Sequence, residues 1–97
     1  MKGEFIMQPI QSDDFLMKAK SLVLRDNIGI DIHDYDIFVV WYCKQLQNHK
    51  ALLGTICNNH YYEITYNGDT GEIYFDKYNK LENKVYDLQL NEAKVNR

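Results

Sequence analysis

The chain has 97 residues, 45% of them hydrophobic and 26% charged, with a formal net charge of −3. One domain with one core fits this length, burying about 60–70% of the surface its unfolded chain exposes. The composition excludes a disordered chain, and the mildly acidic balance argues against generic phosphate-backbone binding, which needs clustered Lys and Arg. It is also far too weak a charge for a mimic of DNA.

Residues 1–11 show no periodicity and are expected to form a loose arm. Glu4, Gln8 and Pro9 interrupt the stretch where a signal peptide needs continuous apolar residues, and no apolar run approaches the roughly 20 residues of a membrane span. A cytoplasmic protein without a membrane partner is therefore expected. Ser12 offers a capping oxygen, Asp13 and Asp14 put negative charge in a first turn, and Phe15, Leu16, Ala19, Leu22 and Val23 recur at helical spacing. A helix from Asp13 to Asp26 follows, with Asn27 and Gly29 at its end.

GIDIHDYD, residues 29–36, alternates but is acid-rich, and fits either a short edge strand or an ordered connection. IFVVWYC, residues 37–43, is apolar on both faces, the pattern of a central strand. KQLQNHK, residues 44–50, is polar enough to turn the chain into a second strand, ALLGTIC, at 51–57. Asn58 and Asn59 suit a turn into a third strand at 61–66. NGDTG, residues 67–71, is the clearest turn signal, and residues 72–77 return as a fourth strand. Beyond Tyr78, the spacing of Leu81, Val85 and Leu88 permits a short C-terminal helix before a frayed polar tail at 91–97. The expected fold is α+β, one domain with an N-terminal helix packed on an antiparallel β-meander of about four strands. Its expected core is Ile37, Val39, Trp41, Leu53, Ile64, Ile73 and Phe75 under Phe15, Leu22 and Val23 of the helix.

Little in the chain suggests catalysis. Cys43 and Cys57 have neither the spacing nor the number of a disulfide scaffold or a zinc site, and are expected to be buried free thiols. Asp31, His33, Asp34 and Asp36 are metal-capable types, but on a strand Asp34 and Asp36 would point away from His33, so a solvated acidic loop is expected. His49 and His60 have no orienting partner for a Cys–His pair. Gly68 and Gly71 lie between strands and not before a helix, so they form no phosphate loop. No enzyme, no cofactor and no metal are expected.

The aromatic hairpin YYEITYNGDTGEIYFDKY, residues 61–78, carries the functional candidates. Ile73 and Phe75 belong to the core, so alternation sends Glu72, Tyr74 and Asp76 outward, and pairing through the turn adds Tyr61, Glu63 and Thr65. Such a face serves either as cross-strand pairs that stabilise an exposed sheet or as a partner surface. Tyrosine gives a rigid contact with a polar tip, and flanking acids select a basic partner. Platforms for single-stranded nucleic acid add a basic track, which is missing here.

VVWYCKQLQNHKALLGT and YYEITYNGDTGEIYFDKYNKLEN, within residues 39–83, resemble a family of small uncharacterised proteins of tailed phages and prophages of Gram-positive bacteria. The shared pattern is V-V-W at Val39 to Trp41, K-x-L-Q-N-x-K-A-L at Lys44 to Leu52, Y-Y-E-x-T-Y-N-G-D at Tyr61 to Asp69, and Y-x-D-x-Y at Tyr74 to Tyr78. The resemblance implies a life in the host cell cytoplasm but no established activity. Small phage accessory proteins commonly bind and divert a host protein. Within the matched block, Lys44, Gln47, Asn48 and Lys50 form a polar hairpin tip more particular than a turn requires, which makes them partner-binding candidates.

The leading expectation is a non-enzymatic phage accessory protein that binds a host or phage protein, such as an inhibitor of host defence or metabolism. Its binding residues are Tyr61, Glu63, Glu72, Tyr74 and Asp76 with Lys44, Gln47, Asn48 and Lys50. The alternative is a nucleotide or small-molecule sequestering protein, with tyrosines stacked on a base and Lys44, Lys50 or Lys77 on phosphate. A role in phage DNA replication is weaker because the charge opposes it. The apolar second face also favours a homodimer packed through sheet faces or edges, unless the segment around Leu81, Val85 and Leu88 folds back over it.

Overall fold

A computed structural model of the chain describes residues 9–93. Helix α1 spans Ser12–Asp26, and Phe15, Ala19 and Val23 recur every fourth position to form its buried stripe. Ser12 is not the N-cap. Gln11 holds that place, its carbonyl accepting the Phe15 amide at 3.0 Å, while the Ser12 hydroxyl is bonded to the Tyr42 hydroxyl at 2.8 Å. Asn27 closes the helix with its backbone and also donates its side-chain amide to the Val23 carbonyl at 2.8 Å. Residues 28–36 are an ordered connection and not a strand, ending in one 3-10 turn at Asp34–Asp36. There the His33 amide donates to the Asp36 carboxylate at 2.9 Å.

Four strands follow, β1 (Ile37–Gln45), β2 (Asn48–Thr55), β3 (His60–Asn67) and β4 (Glu72–Asn79), in one antiparallel sheet ordered β1-β2-β3-β4. The fold is the expected helix on a four-stranded meander, but β1 is an edge strand and not a central one. KQLQNHK is also mostly strand, since Gln45 pairs with Asn48 and only Leu46 and Gln47 turn the chain. Leu46 takes φ 56 there.

The core lies between α1 and one sheet face, where Ile37, Ala51, Leu53, Tyr62, Ile64 and Tyr66 meet Phe15, Ala19 and Val23. Ile73, Phe75 and Leu22 pack at its margin, half-buried. Trp41 is not in the core. It lies on the opposite face and is 40% exposed, and Val39 is 36% exposed and not buried. Cys43 and Cys57 are exposed free thiols instead of buried ones, Cys57 falling beyond the end of β2.

Polar contacts pin the helix at both ends and so decide which sheet face stays open. At its C-terminal end Asn27 and Asn58 bond each other at 3.0 Å and both reach the buried Tyr62 hydroxyl, while Lys77 of β4 pairs with Asp26 at 2.9 Å. At its N-terminal end a chain runs from Ser12 through Tyr42 to His49 Nδ1 at 2.6 Å, and the buried His49 ring stacks on Phe15 with centroids 5.1 Å apart. The unbonded His49 Nε2 is enclosed as well.

Residues 80–93 contain no helix, and none of their apolar side chains joins the core. The Lys80 amide donates to the Asn59 carbonyl at 3.0 Å, and beyond it the chain makes a single bridge, Tyr86 to Glu92. The expected N-terminal arm and C-terminal tail fall largely on 1–8 and 94–97, outside the described residues.

Candidate functional site

The open face of the sheet is set by register. Phe38, Gly54, Tyr61 and Tyr78 form one cross-strand row, Trp41, Leu52, Glu63 and Asp76 the next, and Cys43, Lys50, Thr65 and Tyr74 the third. The outward placement of Tyr61, Glu63, Thr65, Tyr74 and Asp76 follows the alternation of β3 and β4. Phe38 follows the same alternation from Ile37, and Trp41 joins them through a β-bulge, because pairing slips between Val39 and Trp41 and leaves Val40 without a partner on β2. The sequence carries no glycine or other mark of that bulge, so alternation alone places Trp41 with Ile37 and Val39 under the helix. Tyr78 was missed for a simpler reason: β4 runs two residues past the expected end at 77.

Close packing shapes the first row. A Cβ on Gly54 would stand 2.7 Å from the Phe38 ring and 3.2 Å from the Tyr61 ring, so only glycine lets both lie over the β2 backbone. Phe38, Trp41, Tyr74 and Tyr78 remain between 40% and 50% exposed, and no element of the described chain covers them. These exposed rings share one sheet face with Tyr61, and Phe38, Tyr61 and Tyr78 lie in one cross-strand row.

The charges on this face are mostly acidic. Glu63 pairs with Lys50 at 3.4 Å and accepts from the Tyr78 hydroxyl at 3.1 Å, which raises the Tyr78 pKa above its usual value. Glu72 accepts from the Tyr74 hydroxyl at 2.7 Å, and that bond holds its carboxyl below the usual range while raising Tyr74. Asp76, between Tyr74 and Tyr78, has no cation in reach among the described residues. Lys50 is the only cation at the outward strand positions, against Glu63, Glu72 and Asp76.

The polar hairpin tip has a different setting. Gln47 bonds Asp69, the Gly68 amide donates to the Asn48 side chain at 2.8 Å, and Lys44 bonds the Leu46 carbonyl. The two hairpin tips are thus locked side by side, and the particular sequence of the turn has a role in folding. Of Lys44, Gln47, Asn48 and Lys50, only Lys50 stands within the aromatic face.

Phe38 and Tyr61 also edge a recess of about 150 Å³ with Thr55, Asn58, His60 and Lys80. In the acidic connection, His33 pairs with Asp31 at 3.0 Å and stacks on Tyr35. Among the described residues no group of three His, Cys, Asp or Glu side chains converges to hold a metal ion, and no helix is long and apolar enough to cross a membrane.

Residues 13–88 match the profile of a family of unknown function (DUF6275), and the chain belongs to that family. No curated protein and no solved structure matches it.

Proposed function

We propose that this DUF6275 protein is a non-enzymatic accessory protein of a phage or prophage that works in the host cytoplasm by binding a host or phage protein. The observation that carries this reading is the uncovered sheet face, where Phe38, Trp41, Tyr61, Tyr74 and Tyr78 surround Glu63 and Asp76. Rigid aromatics are the usual anchors of protein interfaces. The surplus of carboxylates selects a partner surface that combines apolar side chains with Lys or Arg. The phage context rests on the resemblance carried by the motifs in residues 39–83. Inhibition of host defence or metabolism is the form of action that suits such a protein.

The nucleotide-sequestering alternative draws on Lys80 beside Phe38 and Tyr61, but that recess of about 150 Å³ is half the lower bound of roughly 300 Å³ for a ligand pocket. Lys50 and Lys77 are also paired with Glu63 and Asp26. A role at DNA would need more than Lys50, the single cation at the outward strand positions, and Lys80 beside them.

Capture from a lysate of the bacterial host on the immobilised full chain tests the reading. A discrete protein should be retained, released by salt, and bound at least about tenfold more weakly by Trp41→Ala and by Tyr78→Ala. Binding indifferent to both substitutions, or no discrete partner with and without infection, would overturn it.

A further inference from the structure

The second surface of interest lies on the helix side of the sheet. Strands stand about 4.8 Å apart and a helix with its side chains is about 10 Å across, so one helix cannot cover four strands. Helix α1 packs over β1, β2 and β3, and a hollow of about 290 Å³ is left beside β4. Its floor is Leu22, Ile73 and Phe75, and its rim is Lys18, Ser21 and Arg25. Neither Lys18 nor Arg25 has an acidic partner among the described residues.

The same chain carries a protrusion of complementary character. Residues 85–93 close into a small antiparallel loop, in which the Ala93 amide donates to the Val85 carbonyl at 2.7 Å and the Asp87 amide to the Asn91 carbonyl at 3.0 Å. The Asp87 carboxylate fixes the turn by accepting the Gln89 and Asn91 amides at 3.0 and 2.9 Å. The turn is therefore specified, yet Leu88 at its tip is 97% exposed and Leu90 78%. Leu90 also sits at φ 67, a conformation that favours glycine or asparagine and gives a leucine no local advantage. Isolated two-stranded hairpins are marginal in water, so a tip so arranged gains its stability from a surface that receives it.

We infer that this arm is an exchange element, and that Leu88 and Leu90 of one copy seat in the hollow between α1 and β4 of a second copy, forming a two-fold dimer. Apolar tip meets apolar floor, and Asp87 and Glu92 on the arm meet Lys18 and Arg25 on the rim. Reciprocal exchange closes the assembly as symmetric pairs do. It buries the two leucines at the turn of the C-terminal arm and leaves the aromatic face free for a different protein.

Disulfide trapping tests the exchange in the full chain with Cys43→Ser and Cys57→Ser. Ser21→Cys chains mixed with Leu88→Cys chains should give a covalent heterodimer on mild oxidation, and the chain without added cysteines should sediment as a dimer. Leu88→Asp with Leu90→Asp, both at exposed positions, should weaken that dimer at least about tenfold, and at concentrations low enough to dissociate the parent dimer the two chains should melt alike. A monomer at all accessible concentrations would overturn the inference, as would a dimer indifferent to the aspartates. Failure of the mixed chains to link would do the same, and so would an internal disulfide in a chain carrying both Ser21→Cys and Leu88→Cys that leaves it monomeric.

Discussion

Phe38 and Trp41 stand three residues apart in one strand yet share the outward face of the sheet, because Val40 is bulged out of register between them. Strict alternation would put one of the two rings under the helix. The bulge is thus the local event that turns an apolar edge strand into half of an aromatic surface.

Stability should report that placement directly. Trp41→Ala is expected to cost no more than about 2 kcal/mol, and Leu53→Ala, at a fully buried site, about 2–5 kcal/mol. Denaturant unfolding of the two variants measures the contrast. A larger loss for Trp41→Ala would put the indole in the core.

Gly54 and Phe38 should behave as one unit. Adding a methyl at Gly54 forces the Phe38 ring from its place 2.7 Å away, and a cost of about 1–3 kcal/mol is expected for Gly54→Ala. In a Phe38→Ala background the same change should cost at least about 0.5 kcal/mol less. Additive losses in a double-mutant cycle would show that the ring does not lie over Gly54.

The two glycines of the β3–β4 turn should differ in kind. A Cβ on Gly68 would meet the Gln47 carbonyl oxygen at 2.3 Å, so Gly68→Ala must separate the hairpin tips and is expected to cost more than about 2 kcal/mol. Gly71 has open space but φ 76, and Gly71→Ala should cost about 1 kcal/mol of backbone strain. Gln47→Ala removes the Gln47 Cγ that also crowds Gly68 but keeps the carbonyl oxygen and Cβ, so it should not rescue Gly68→Ala. Thermal unfolding of the three variants decides the matter.

His49 should make the fold sensitive to mild acid. Burial disfavours its charged form and lowers its pKa from 6.5, so the unfolded chain binds the extra proton first. The contribution of the neutral ring is complete above about pH 6.5 and is lost as the pH falls from there toward the depressed folded value. His49→Phe keeps the stacking on Phe15 and should flatten the pH dependence of unfolding between about pH 7.5 and 5 relative to the parent chain. Equal slopes would mean that His49 titrates as freely in the fold as out of it.

Much of the fold was legible in the chain because helix and hairpins follow simple periods. Phe15, Ala19 and Val23 recur at the helical interval, and β3 and β4 alternate without interruption across a turn marked by Asn67, Gly68 and Gly71. β1 defeated the same reasoning, since apolar residues on both faces arise from a central strand or from an edge strand with an exposed aromatic side, and the bulge hides which. The Leu81, Val85 and Leu88 spacing permitted a helix, but the hydrogen bonds of Asp87 with Gln89 and Asn91 hold the segment in a turn. The site was legible where alternation held, at Tyr61, Glu63, Tyr74 and Asp76. The folding role of the polar tip was not legible because its partners, Gly68 and Asp69, come from a hairpin 20 residues or more away in sequence.

Photo-crosslinking in the bacterial host tests the central claim, that the aromatic face is where a partner protein binds. A photoreactive side chain is placed in turn at Trp41 and Tyr78 on the outward face and at Met17, an exposed position on α1. The account predicts one discrete adduct from both face positions, none of that size from Met17, and its loss when Asp76→Lys reverses the local charge. The same adduct from Met17 and neither face position, or no adduct from Trp41 and Tyr78 in an infected cell, would contradict it.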